Sequence, residues 1–173
     1  MKNTNIKFYS ALIIIFILAF SRIIPHPPNF TPILGMAVFA GTVFDKKVFS
    51  FLIPLLAMIL SDLFLGLHSG IFIVYLAICL NVVIGIYLIN KIRYSKILGS
   101  LIAGSLVFFI VTNFAVWLYS GMYPYNFDGL LSCYIMALPF FQNTIISSIL
   151  YGSGAFFFFE LSNKYLVFSS KNY

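Results

Sequence analysis

The stretch Arg22-Ile23-Ile24-Pro25-His26-Pro27-Pro28-Asn29-Phe30-Thr31-Pro32-Ile33 decides how this chain is read. It holds four of the seven prolines and lies between two long apolar runs. Proline locks φ and lacks a backbone N–H, and it steers the residue before it away from helix. The stretch therefore reads as a stiff, extended connector rather than a helix interior. A cation stands at one end and an imidazole in the middle. The expectation is a connector laid across the outer mouth of a membrane helix bundle, covering a ligand site.

Composition says what surrounds the connector. Of 173 residues, 62% are hydrophobic and only 8% are charged. Soluble domains carry about 25% charge. So much apolar surface calls for lipid as the solvent. The length suits one domain of several spans, residues 1–173. A net charge of +6 does not imply nucleic acid, because the cations do not gather into a face that could track phosphates. Cys79 and Cys133 stand far apart in apolar surroundings and read as unpaired small hydrophobes, with no CxxC or HxxxH spacing beside them. Lys2 and Lys7 before the first apolar run resemble a signal peptide. The length of that run, Arg22 after it and the later spans favour an uncleaved first helix.

A membrane-crossing helix needs about 20 apolar residues. That length predicts helices at about 8–24, 34–44, 48–65, 71–89, 97–119 and 139–160. The second is short and starts inside the connector, so it is expected to tilt or to sit partly below the surface. The third contains Pro54, which membrane helices tolerate when neighbours satisfy the freed carbonyl. The apolar run from Leu130 to Phe159 is too long for one simple span and is divided at Pro139. The fold class expected is all-α and polytopic, with six transmembrane helices and both termini cytoplasmic. The cations agree with that layout. Lys2, Lys7, Lys46, Lys47, Lys91, Arg93, Lys96, Lys164 and Lys171 fall on one side, and only Arg22 falls on the other. Cytoplasmic loops are the ones enriched in Lys and Arg, so cytoplasmic termini and a multi-pass protein of the inner (cytoplasmic) membrane are expected.

The same layout gathers the unusual residues at the opposite, outer end. Arg22, His26, Asn29, Asp62, His68, Tyr123, Tyr125, Asn126 and Asp128 belong there. Asn113 and Trp117 lie in the outer half of the fifth helix, and Gln142 and Asn143 in that of the sixth. Polar groups in lipid face a partner or a cavity. Arg22, His26 and Asn29 are expected on the lid, and Asp62, Asn113, Trp117, Tyr123, Gln142 and Asn143 on the wall of a pocket. Each also has a plainer reading. Arg22 either snorkels to headgroups or pairs with Asp62, or holds an anion. Asp62 either solvates a helix end or meets Arg22, the only cation on its side. His26 and His68 are loop residues or, less simply, ligands. Trp117, Tyr119, Tyr123 and Tyr125 form an interfacial belt or a stacking wall. Asn113, Gln142 and Asn143 join helices or line the pocket. No phosphate-binding Gly-rich loop, HExxH or nucleophile elbow occurs, so neither an enzyme, a cofactor nor a metal site is expected.

Four strings carry a resemblance. They are Arg22-x-x-Pro-His-Pro-Pro-Asn-Phe-Thr-Pro-Ile33, Ser61-Asp62 with Gly66 and His68, Thr112-Asn-Phe114 with Trp117, and Ala137-Leu-Pro-Phe-Phe141 with Asn143. Together they resemble the signature of a small bacterial membrane family known as a domain of unknown function. In size, six spans, cytoplasmic termini and a first outer loop acting as a lid, the chain is also similar to substrate-binding S components of energy-coupling-factor vitamin transporters. That likeness implies a pocket opening outward, a small vitamin-like solute and a separate energising transporter complex as partner. It also implies small residues on the first helix that dock on a coupling subunit; Ala11 and Ala19 are there, but no close small-xxx-small pair. A cobalt-ligating cysteine, as in some solitary members, would fall to Cys79. The competing expectations are a structural or assembly protein whose polar groups only join helices, and a membrane enzyme.

Overall fold

The structure, a computed structural model, describes residues 2–67, 70–89 and 91–171. His68 and Ser69 therefore lie outside the described residues. Six helices follow one another: α1 Lys2–Ser21, α2 Ile33–Val43, α3 Lys47–Leu65, α4 Ile71–Leu88, α5 Tyr94–Tyr119 and α6 Phe127–Lys171. Among the described residues there is no strand. The protein is all-α, and α3, α4, α5 and α6 are long and apolar enough to cross a membrane. That is four such helices, against the six expected.

The shortfall comes from the two helices that flank the proline connector. The described apolar part of α1 is Asn5–Ser21, just under a full crossing. Helix α2 has only 11 residues, about 16 Å of rise, against a hydrocarbon thickness of about 30 Å. Its boundaries agree with the sequence to within a residue, and it is buried at the centre of the bundle. Ile33 to Gly41 are buried without a break, and α2 packs against all five other helices. Phe39 stands edge-on to Phe156 and Phe159 of α6, with ring centroids 5.2 and 5.5 Å apart.

Small residues make this central position possible. Gly41 of α2 and Gly85 of α4 meet backbone to backbone: a Cβ on Gly41 would collide with Val82 O, and one on Gly85 with Val38 O. On the other flank, a Cβ on Gly35 would come within 2.6 Å of Gly152 N in α6. Close backbone approach of this kind is what holds helices together where lipid removes the hydrophobic drive between them.

Helix α6 corrects the division at Pro139. It runs unbroken for 45 residues, with Pro139 inside it. Its start is set by Asn126, whose Oδ1 accepts a hydrogen bond from Gly129 N at 2.8 Å, and Asp128 places an anion in the first turn. Helices α5 and α6 form a long hairpin clasped at its tip. Trp117 Nε1 donates to Pro124 O at 3.0 Å, and Tyr125 OH donates to Leu118 O at 2.7 Å. Farther along, Tyr134 OH donates to Ile110 O at 2.7 Å.

Candidate functional site

The connector turns on itself before it enters α2. Phe30 N donates to Pro27 O at 3.0 Å, leaving Pro28 and Asn29 as the central residues of the turn. Asn29 has φ 60°, the left-handed conformation that Asn tolerates and that the third place of a type II turn favours. The turn is tied down by one face of α6. Asn143 Nδ2 donates to Pro28 O at 3.0 Å. One turn along that helix, the single Ser147 hydroxyl proton is shared between Thr144 O at 3.2 Å and Asn29 O at 3.5 Å. Residues spaced by four thus hold successive carbonyls of the connector.

The cation at the head of the connector has a different anchor. Arg22 Nη1 lies 2.5 Å from Asp62 Oδ1 and donates to Ser61 Oγ at 2.5 Å, both on α3. Asp62 is 1% exposed and the Arg22 side chain 11%. The Oδ1 contact is an ion pair without the angles of a hydrogen bond. Asp62 Oδ2 accepts from Tyr75 OH of α4 at 2.8 Å. Ser61 passes its own proton to Met58 O at 2.9 Å. The cluster joins the end of α1 to α3 and α4, and its charges answer one another.

Beneath the turn is a cavity of about 210 Å3 between the connector, α4, α5 and α6. Its polar wall is Asn29, Thr112, Asn113 and Thr144. Its apolar wall is chiefly Phe108, Phe109, Phe140 and Phe141, closed by Val74, Val116 and Ala137. Phe109 and Phe141 stack on each other with centroids 4.4 Å apart. Wider clefts open on the flanks; that between α1 and α6, about 680 Å3, is almost wholly apolar and suits lipid tails.

Of the residues singled out from the sequence, Asn29 and Asn113 share the wall of this cavity. Arg22 and Asp62 are brought together beside it but do not line it. Asn143 holds the connector from outside. His26 is exposed, with Nδ1 3.0 Å from Pro27 O, and Gln142 is exposed. Trp117 belongs to the hairpin clasp, where it stands edge-on to Tyr125 at 5.9 Å, and half-buried Tyr123 sits in the same loop. Cys79 and Cys133 are free thiols. Among the described residues, no three of His, Cys, Asp and Glu gather as metal ligands.

Several residues that matter here were not singled out. Tyr75 gave no signal beyond its place in the first turns of α4. Ser147 was findable from its spacing of four from Asn143, and Thr112 and Thr144 from their neighbours Asn113 and Asn143. Asn81 is the largest omission. It is fully buried in α4, and its Nδ2 donates to Ala77 O at 2.9 Å and across to Gly104 O of α5 at 3.3 Å. A lone amide in an apolar run of that length is itself a signal of interhelical bonding.

The fold thus defines an all-helical bundle with four helices of membrane-crossing length, a buried half-length helix at its centre and a roofed chamber at one end. Residues 2–169 match the model described as Family of unknown function (DUF6580), and the chain belongs to that family. This accords with the uncharacterised family that the sequence resembles. No curated protein matches the chain. No solved structure matches it either.

Proposed function

We propose that the protein is a solute-binding membrane component that takes a small molecule from the outer side into the chamber under the proline turn. The chamber itself carries the reading: about 210 Å3, roofed by Asn29 of the connector and walled by polar and aromatic side chains. Ligand sites are concave, mostly apolar and furnished with a few convergent polar groups. The volume is equivalent to roughly seven waters of bulk liquid, below the ~300 Å3 of drug-sized pockets, so the solute is compact, of one or two rings.

In this reading the chain sits in a bacterial inner membrane with both termini cytoplasmic, as the distribution of Lys and Arg supports. Helix α1 crosses once, and α2 with its connector makes up the second crossing. The architecture is like that of the S components of energy-coupling-factor transporters, and a separate complex supplies the energy. The connector is the lid. Arg22 acts as its hinge pin through Asp62 and not as a ligand for the solute, because its charge is already answered. The closed Arg22–Asp62–Tyr75 cluster is the one observation that favours the second reading, a scaffold without a ligand. Native mass spectrometry of the full chain separates the two. A co-purified small molecule, lost when Ala137 is enlarged to Leu, supports binding; a bare chain, unchanged by that substitution, supports the scaffold.

A further inference from the structure

The chamber presents hydrogen-bond acceptors in excess of donors. Thr112 Oγ1 donates its only proton to Phe108 O at 2.8 Å, and Thr144 Oγ1 donates its own to Phe140 O at 2.9 Å. Asn113 Nδ2 donates to Phe109 O at 2.8 Å. All three bonds run back to the carbonyl four residues earlier in the same helix. That carbonyl can only accept, so the amide of Asn113 is fixed with nitrogen towards the helix and Oδ1 away from it. What remains for a guest is the lone pairs of two hydroxyls and the Asn113 amide oxygen. The second Asn113 N–H and the Asn29 amide are the only side-chain donors on the wall.

Charge is missing from the same wall. None of the lining residues is acidic or basic. The nearby Asp62 and Arg22 are spent on each other. An ion entering this space would lose its hydration without gaining a counter-charge. The Phe108, Phe109, Phe140 and Phe141 rings offer flat apolar contact instead.

We infer that the guest is a small uncharged molecule with a flat, ring-based body and at least one N–H or O–H to donate. This rests on the solute-binding reading above and adds to it the chemistry of the solute. A donor left facing the three acceptors gains its bonds. A molecule of the same shape that can only accept leaves them unsatisfied on burial.

The full chain in lipid nanodiscs can be tested by equilibrium dialysis against indole, benzofuran and benzoate. Indole and benzofuran share shape and size, but indole donates where benzofuran accepts. Benzoate adds an anion. Chambers filled by Val116→Phe and, separately, by Ala137→Leu report uptake into lipid alone, with helicity by circular dichroism confirming the fold of each. The expected result is saturable indole binding at one per chain, ~tenfold tighter than benzofuran, absent from the filled variants, with benzoate not bound. Thr112→Val should narrow the indole preference. Equal binding of indole and benzofuran would overturn the donor requirement while leaving the chamber as a site. Tighter binding of benzoate would overturn the neutral class. Uptake of indole identical in the wild type and in folded, filled variants would overturn the chamber and the class together.

Discussion

Replacing Arg22 with Met tests whether the Arg22–Asp62–Tyr75 cluster is an electrostatic unit. The guanidinium is 11% exposed and Asp62 1%, so the variant leaves a carboxylate buried with only the Tyr75 hydroxyl for company. Removing one partner of a buried pair costs about 3–5 kcal/mol. Asp62→Asn is a milder change. Its amide oxygen can still accept from Tyr75, and Arg22, with a flexible stem at the end of α1, can extend to solvent, so the loss should be about 1 kcal/mol. If the pair acts as a unit, the double variant buries no charge and should lose only about 1–2 kcal/mol, far less than the sum of the single variants. The coupling energy is then about 2–5 kcal/mol. Reversible unfolding in mixed micelles with rising dodecyl sulfate, read by circular dichroism, measures all four proteins. Additive losses, or an Arg22→Met protein within about 0.5 kcal/mol of wild type, would refute the reasoning and reduce Arg22 to a side chain that merely reaches for the headgroups.

Three further outcomes follow from the packing. Gly41→Ala should destabilise by about 1–3 kcal/mol in the same assay, because its methyl group meets the Val82 carbonyl; Gly99→Ala, where a Cβ has open space, should lose none of this. Asn143→Ala removes a tie that lies partly in solvent, so global stability should fall by no more than about 1 kcal/mol, while hydrogen exchange at Phe30 and neighbouring connector amides speeds up. Pro139→Ala should leave helicity and stability intact or raise stability slightly, since α6 is already continuous there; a loss of helix would show that the proline marks a break.

What could be read from the residues depended on how local the cause was. The connector was legible because four prolines act within their own dozen residues. The Arg22–Asp62 pair was legible because the six-span layout left Asp62 a single candidate cation. The centrality of α2 was not: small residues such as Gly35 and Gly41 say that something comes close, not that five helices do. Pro139 misled because a proline breaks helices in water, whereas a packed bundle supplies other means of carrying one. Among the site residues, Asn29 and Asn113 meet across a chamber whose other polar members, Thr112 and Thr144, stand beside Asn113 and Asn143 in the chain. Trp117 and Tyr123 drew notice as polar-tipped aromatics, and the hairpin clasp accounts for Trp117 through a backbone carbonyl seven residues away.

The brevity of α2 bears on how the protein is made. A segment of about 16 Å cannot rest stably in a bilayer by itself as it leaves the ribosome. Its lasting neighbours, α4 and α6, are synthesised later, and α6 comes last of all. Until Gly152 is made and can receive Gly35, that flank of α2 has no backbone partner. Chains cut short before α6 should therefore leave α2 incompletely packed, even though every earlier helix has already been translated.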